Sequence, residues 1–311
     1  MALLIKIGHD GWYSEEEMAA ELRSHTPDAD IRVPSDPGNL DEITMLAVSK
    51  LDTDLPQQLP NLQLVQKLGA GVETIVGHPA LAPSVRVARL KPVTPAREIG
   101  EFFLAYILQG QRNIAFHRTE QDRSVWSPTA PKQTPDTVVG VLGLGHIGGL
   151  TAQLLQGFGF QVHGWSRSAK DLEGVTCHHG SDGLAPMLAQ CDYVCAILPS
   201  TDETRSLIGP KMLAAMKPGS TFLNAGRGDL VDEPALIAAL DKGTPGHAVL
   251  DVVSQEPLPA DSPIWQHPKI TLTPHVSGWH LGDALKDVAE NLRRLQTGDP
   301  LLHEVDRQKG Y

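Results

Sequence analysis

The chain has 311 residues, of which 41% are hydrophobic and 20% charged, and its formal net charge is −11. This length suits about two globular domains with buried cores, and the acidic balance argues against a nucleic-acid-binding or anionic-membrane-binding surface. Three cysteines without metal-ligand spacing indicate a reduced, cytoplasmic protein with no metal site. No apolar run reaches the ~18 residues that a membrane span needs.

Strand and helix signals alternate along the first ninety residues. MALLIKIGHD becomes polar too early for a signal peptide, so we expect a first strand over residues 3–8. Ser14 and Glu17 have the spacing of a capping box, which predicts a helix over residues 14–25. Further strands are predicted at residues 30–34, 43–49, 62–71 and 85–90. Strands that alternate with helices predict a parallel sheet.

A second alternating series follows a boundary. Residues 97–118 have the apolar spacing of one long helix, and a polar, proline-rich stretch at 123–136 separates it from the rest. Strands are then predicted at 137–143, 160–166, 192–199, 219–226, 247–252 and 269–275, with helices at 147–157, from near Asp232, and at 282–298. Cys191 and Cys195 are expected to pack as small core residues. The fold class is therefore α/β, with parallel sheets flanked by helices.

The strongest local motif is a glycine turn. Gly143, Gly145 and Gly148 form G-x-G-x-x-G between an apolar strand and a helix that begins near His146 and Ile147. The first glycine permits a tight turn, the second lets a pyrophosphate approach the backbone, and the third lets helix and strand pack closely. Unpaired N–H groups at the helix start then face the pyrophosphate. The motif predicts a dinucleotide site.

The stretch Ser166-Arg167-Ser168 lies at the tip of the next predicted strand, eighteen residues after Gly148. An acid here would bind the ribose 2′-hydroxyl of NAD, whereas an arginine accommodates the 2′-phosphate of NADP. The guanidinium of Arg167 and two serine hydroxyls can donate to a phosphate, and Lys170 can add charge. A solvated loop arginine is the alternative, but the missing carboxylate favours NADPH over NADH.

Three later segments carry candidate catalytic residues, each close behind a predicted strand: Arg227 between two glycines, Glu256, and His275. Alone, each has an ordinary alternative, namely a turn arginine, a loop glutamate or a structural histidine. Together they suit reduction of a 2-keto acid. His275 as imidazolium would protonate the nascent alkoxide, Glu256 would stabilise that imidazolium, and Arg227 would hold the substrate carboxylate and polarise the carbonyl.

These residues lie in segments that resemble the D-isomer-specific 2-hydroxyacid dehydrogenases, most closely the bacterial glyoxylate/hydroxypyruvate reductases. The resemblance rests on LGAGVE (68–73), VLGLGHIGG (141–149), WSRS (165–168), LPSTDETRSLI (198–208), NAGRGDLVDEPAL (224–236), LDVVSQEPLP (250–259) and SPIWQHPKITLTPHVSG (262–278). It implies a discontinuous substrate domain, residues 1–95 plus 281–311, and a dinucleotide-binding domain, residues 96–280, with the active site in the cleft between them. It also implies a homodimer formed through a helix and arm at about 97–130.

The resemblance assigns further roles. Arg227, Glu256 and His275 would be the catalytic triad. Backbone N–H groups of Ala70, Gly71 and Val72 would bind the substrate carboxylate. Along the cofactor would lie Leu198, Pro199, Thr204, Asn224, Ala225 and Asp251.

Two departures from the family pattern put the substrate in doubt. Lys50 follows a strand in which related reductases often carry a tryptophan, and it can approach a substrate carboxylate or be solvated. Trp279 follows His275 where small residues are more usual, so it is a candidate to line the substrate pocket.

Other readings stay open within and outside the family. A phosphoglycerate-type, D-lactate-type or bulky 2-keto acid reductase is the first alternative. Formate enzymes are disfavoured because they carry glutamine where Glu256 stands. Phosphoglycerate enzymes usually carry an additional regulatory segment and an acid at the position of residue 166, and this chain has neither. A non-catalytic, dinucleotide-binding corepressor is the remote alternative, and no peptide groove is marked in the sequence.

Overall fold

The computed structural model describes residues 1–8, 11–51, 53–91 and 93–307, so the last four residues of the predicted substrate domain lie outside it. The contacts between Cα atoms divide the chain into unit 1, Met1–Thr94 with His280–Tyr311, and unit 2, Pro95–Trp279. The assignment of substrate binding to the first part of the chain and dinucleotide binding to the second remains a prediction.

The strands and helices alternate as follows. The strands are β1 Ala2–Lys6, β2 Ile31–Arg32, β3 Ile43–Val48, β4 Leu64–Lys67, β5 Arg86–Ala88, β6 Val138–Leu142, β7 Gln161–Ser166, β8 Val175–His179, β9 Tyr193–Ala196, β10 Thr221–Asn224, β11 His247–Leu250 and β12 Ile270–Leu272. The α-helices are α1 Glu15–His25, α2 Glu73–Val76, α3 Val93–Gln111, α4 Ile114–Asp122, α5 His146–Phe158, α6 Gly180–Leu188, α7 Pro210–Ala214, α8 Glu233–Lys242 and α9 Leu285–Thr297. Short 3-10 segments include Gly228–Leu230 and Gly282–Ala284.

Unit 1 is built on five parallel strands in the order β2-β1-β3-β4-β5. Every residue of β3 is buried, as expected for a parallel strand covered on both faces. Helix α1 begins with the predicted capping box: the N–H of Glu17 donates to the Ser14 hydroxyl, and the N–H of Ser14 donates to the Glu17 carboxylate. Helices α1 and α9 pack on the same side of the sheet, around a shared apolar core.

Unit 2 is built on seven parallel strands in the order β12-β11-β10-β9-β6-β7-β8. Helices α3 and α5 contribute to the core on one face, and α6, α7 and α8 contribute to the core on the other. Cys191 and Cys195 are fully buried, one in each core, which confirms their expected packing. Burial raises the pKa of the Cys191 thiol to about 12. The predicted α/β class is confirmed.

The prediction of a single helix over residues 97–118 was wrong. The chain forms α3 and then α4, and the break falls at Asn113, whose φ of 53° is left-handed. Asparagine adopts this conformation more readily than most residues. Helix α3 also begins earlier than expected, at Val93. Pro95 fits in its first turn because the N–H groups there have no partner within the helix.

None of the helices in the described ranges is long and apolar enough to cross a bilayer.

Candidate active site

The candidate site lies along one edge of the sheet in unit 2. All seven strands are parallel, so their carboxyl ends meet at this edge. The glycine turn follows β6, Ser-Arg-Ser ends β7, and Arg227, Asp251 and His275 follow β10, β11 and β12. Strand β6 lies between β7 and β9: the chain runs from β6 to β7 and β8 on one side, then crosses back to β9 on the other. Open α/β sheets bind ligands at this kind of switch point.

The glycine turn has the shape that a dinucleotide requires. Gly143 has a φ of 100°, and a Cβ on Gly148 would lie 1.7 Å from the carbonyl oxygen of Gly143. In contrast, a Cβ on Gly145 would meet no atom within 4 Å, so space remains beside the backbone. Gly145 is the N-cap of α5 and offers no side-chain acceptor to the first turn of the helix. Binding of a pyrophosphate near His146 and Ile147 remains a prediction.

The tip of β7 presents Arg167, as the sequence predicts. The hydroxyl of Ser166 donates to the carbonyl oxygen of Ser168 at 2.7 Å, which closes the turn around the arginine. Arg167 forms an ion pair with Glu203, from the loop after β9, with 2.5 Å between Nη1 and Oε2. Glu203 lies 36 positions further along the chain, so the local sequence around Arg167 gives no sign of this acid.

Arg227 is fixed by its two neighbouring glycines. A Cβ on Gly226 would lie 2.8 Å from the carbonyl oxygen of Leu198, and one on Gly228 would lie 1.9 Å from the carbonyl carbon of Val253. The backbone on each side of Arg227 therefore packs directly against a segment that follows a neighbouring strand. A side chain at either glycine would force the two backbones apart.

The buried side chain of Asn224 also holds this turn. Its amide donates to the carbonyl oxygen of Arg227 at 2.9 Å, and its oxygen accepts from the N–H of Gly226 at 3.0 Å. The arginine guanidinium donates to the carbonyl oxygen of Gly226. A role for Asn224 and Ala225 beside the cofactor remains a prediction.

Glu256 and His275 form a hydrogen-bonded pair, with 2.8 Å between Oε2 and Nδ1. Burial alone would raise the pKa of the Glu256 carboxyl. Four interactions outweigh burial and lower that pKa: the hydrogen bond from His275, the charge of His275, the N–H of Val253 and the charge of Arg227. The carboxylate is thus ionised at neutral pH and orients the imidazole. Nε2 of His275 makes no hydrogen bond within the described part of the chain, and the side chain is 46% exposed.

Asp251 holds the loop that carries His275. Its buried carboxylate accepts from the Thr273 hydroxyl at 2.6 Å and from the N–H groups of Val276 and Ser277 at 2.9 and 3.0 Å. Its carbonyl oxygen accepts from the N–H of His275. These bonds secure His275 at a φ of 55°, a strained conformation of about 1 kcal/mol or more that clusters at functional sites. The family resemblance implies only a position beside the cofactor for Asp251, and that contact remains a prediction. The role of Asp251 in holding the loop was not anticipated.

The remaining predicted site residues differ in burial and in their hydrogen bonds. Leu198 is buried, and the Thr204 hydroxyl donates to the carbonyl oxygen of Pro199 within one loop. The N–H of Trp279 donates to Glu98 at 2.7 Å. In unit 1, the turn between β4 and α2 contains Ala70, Gly71 and Val72, and no acceptor for their N–H groups is found among the described residues. Their contact with substrate stays a prediction.

No group of three or more histidine, cysteine, aspartate or glutamate side chains in the described ranges is arranged to hold a metal ion.

Comparisons with known proteins match this chain to one family. Residues 104–277 match the family model for the NAD binding domain of the D-isomer specific 2-hydroxyacid dehydrogenases. A D-isomer specific 2-hydroxyacid dehydrogenase from Xanthobacter autotrophicus, solved with NADPH and MES, is 36% identical over 100% of this chain and 99% of its own, with a TM-score of 0.91.

Two further solved structures are similar along the whole chain. The NADPH-dependent glyoxylate/hydroxypyruvate reductase of Sinorhizobium meliloti, solved with NADP and sulfate, is 30% identical over 100% of this chain and 99% of its own, with a TM-score of 0.91. A probable 2-hydroxyacid dehydrogenase from Rhizobium etli, solved with NADP, HEPES and L(+)-tartaric acid, is 30% identical over the same shares, with a TM-score of 0.86.

Proposed function

We propose that this chain, which belongs to the D-isomer-specific 2-hydroxyacid dehydrogenase family, reduces a small 2-keto acid, glyoxylate or hydroxypyruvate, to the D-2-hydroxy acid with NADPH. Family membership makes it an NAD(P)-dependent oxidoreductase. The observation that carries the proposal is the ionised Glu256 bonded to Nδ1 of His275, on the sheet edge that also carries Arg227 and the glycine turn.

When bound, NADPH supplies a hydride to the carbonyl carbon of the substrate. Arg227 binds the substrate carboxylate and polarises the carbonyl oxygen with its guanidinium. His275 donates a proton from Nε2 to the alkoxide as it forms, and Glu256 stabilises the imidazolium beforehand. One proton and one hydride are consumed, and the products are the 2-hydroxy acid and NADP⁺. In the oxidative direction neutral His275 accepts the proton.

The preference for NADPH over NADH rests on Arg167 at the tip of β7. A planar guanidinium binds a phosphate with two parallel hydrogen bonds, whereas NADH offers only a hydroxyl at this position. The Xanthobacter and Sinorhizobium relatives were solved with NADPH and NADP, which supports the same cofactor here. The Sinorhizobium enzyme's name supports glyoxylate and hydroxypyruvate as substrates.

We also propose a cytoplasmic homodimer formed through the arm at about 97–130. Four large apolar side chains are exposed on this segment, and Trp126 is 96% exposed. They are Ile114, Phe116, Val125 and Trp126. Large apolar side chains exposed along one segment are what a surface covered by a second subunit would present.

The test is a panel of initial rates with purified protein. Glyoxylate, hydroxypyruvate, pyruvate and phenylpyruvate are each assayed with NADPH and with NADH. We expect the highest kcat/KM with NADPH and one of the two small substrates. Binding of NADPH without turnover of any 2-keto acid would refute the proposal, and a preference for phenylpyruvate would favour a bulky-substrate reductase.

A further inference from the structure

The ion pair between Arg167 and Glu203 links the two loops on either side of the glycine turn. Arg167 follows β7 and Glu203 lies in the loop after β9, and these strands flank β6 in the sheet. Since β6 leads into the glycine turn, the pair joins the two sides of the switch point. Both side chains are 64% exposed, so they are accessible to a cofactor.

Local hydrogen bonds hold both ends of this link. On the β9 side, the N–H of Thr201 donates to the hydroxyl of Thr204, which donates to the carbonyl oxygen of Pro199. On the β7 side, the hydroxyl of Ser166 donates to the carbonyl oxygen of Ser168. Hydrogen bonds thus hold the two loops that carry Arg167 and Glu203. The two exposed side chains can separate when a ligand binds Arg167.

We propose that Glu203 is a specificity-determining residue that limits the enzyme's preference for NADPH by holding the Arg167 guanidinium. This inference rests on the proposed role of Arg167 in binding the 2′-phosphate. Glu203 accepts from Nη1 of Arg167, and a phosphate that binds the guanidinium through the same nitrogen competes with this carboxylate. Glu203 therefore opposes the 2′-phosphate in two ways: it occupies Nη1, and its negative charge repels the phosphate. NADH has no 2′-phosphate and leaves the ion pair intact.

The test is direct binding, measured by fluorescence titration of the purified protein with NADPH and with NADH. Glu203→Gln keeps the shape of the side chain and removes its charge. Exposed ion pairs contribute modestly, so we expect this variant to lower the Kd for NADPH about threefold and to leave the Kd for NADH unchanged.

Asp202→Asn is the matched control. Asp202 is exposed, is the neighbour of Glu203, and makes no ion pair with the described residues. The Asp202→Asn variant therefore removes the same charge from the same loop without releasing Arg167. We expect no change in the Kd for NADPH or in the Kd for NADH. Equal tightening of NADPH by Asp202→Asn and Glu203→Gln would show a general charge effect and overturn the proposal.

A double variant tests whether Glu203 acts through Arg167. In an Arg167→Ala background, Glu203→Gln is expected to leave the Kd for NADPH unchanged. Tightening that persists there, tightening of both cofactors, or no gain in the single Glu203→Gln variant would overturn the inference. Failure of the proposed function gives a different result: Arg167→Ala alone would then weaken NADPH and NADH equally.

Discussion

Replacing Asp251 by asparagine tests how the histidine loop is held. The carboxylate accepts three hydrogen bonds, from Thr273 through one oxygen, from Val276 through the same oxygen, and from Ser277 through the other. Asparagine has nearly the same shape but offers one acceptor. If its oxygen serves the first two donors, its NH₂ group faces the N–H of Ser277, donor against donor.

The expected cost follows from these contacts. One hydrogen bond to a charged acceptor is lost, at about 1.5–3 kcal/mol, and a buried N–H loses its acceptor. We therefore expect a loss of about 2–4 kcal/mol, concentrated in the loop that holds His275 at its left-handed φ. A proton donor misplaced by about 1 Å lowers the rate about a hundredfold, so kcat should fall to that extent.

The assay compares kcat, KM and the Kd for NADPH in Asp251→Asn and in Thr273→Val. The valine variant removes one donor and leaves the carboxylate in place, so we expect a much smaller fall in kcat. Unchanged kcat in Asp251→Asn would refute the account of the loop. A fall confined to NADPH affinity would show that Asp251 acts through the cofactor instead.

Three further outcomes are expected. Gly145→Ala should keep the wild-type Tm but weaken NADPH binding, since its Cβ enters open space, whereas Gly148→Ala should lower the Tm strongly because its Cβ would overlap a carbonyl oxygen. Glu256→Gln should lower kcat for reduction while leaving the Kd for NADPH unchanged, because Nδ1 of His275 loses its ionised partner. Burial and a neighbouring histidine lower the pKa of His163, so the folded protein binds that proton less readily than the unfolded chain does. Stability should consequently fall as pH drops below about 6.5, and His163→Gln should reduce this loss in Tm measured from pH 7.5 to 5.

The sequence predicts those parts of the site that depend on one local pattern. The glycine spacing predicts the turn after β6, since a Cβ at Gly148 has no room. Three polar residues close behind buried strands predict a shared edge, because all strands of a parallel sheet end on the same side. In this way the neighbouring positions of Glu256 and His275 can be anticipated without any knowledge of distances.

Contacts between distant segments could not be predicted in the same way. Glu203 reaches Arg167 only because β7 and β9 flank β6, and strand order is not visible in the sequence. The bonds of Asp251 depend on how one loop folds over another. Strand β8 was missed because it lies at the sheet edge and has no fully buried residue, so its apolar signal is weak.

We expect His275 to be the residue that protonates a 2-keto acid as NADPH reduces it. The most direct measurement is a single-turnover experiment in which enzyme saturated with NADPH is mixed with glyoxylate or hydroxypyruvate, and NADPH absorbance is followed. We expect rapid oxidation by the wild-type enzyme and a rate about a hundredfold or more lower in His275→Ala, with an unchanged Kd for NADPH. A wild-type rate in His275→Ala would contradict the account.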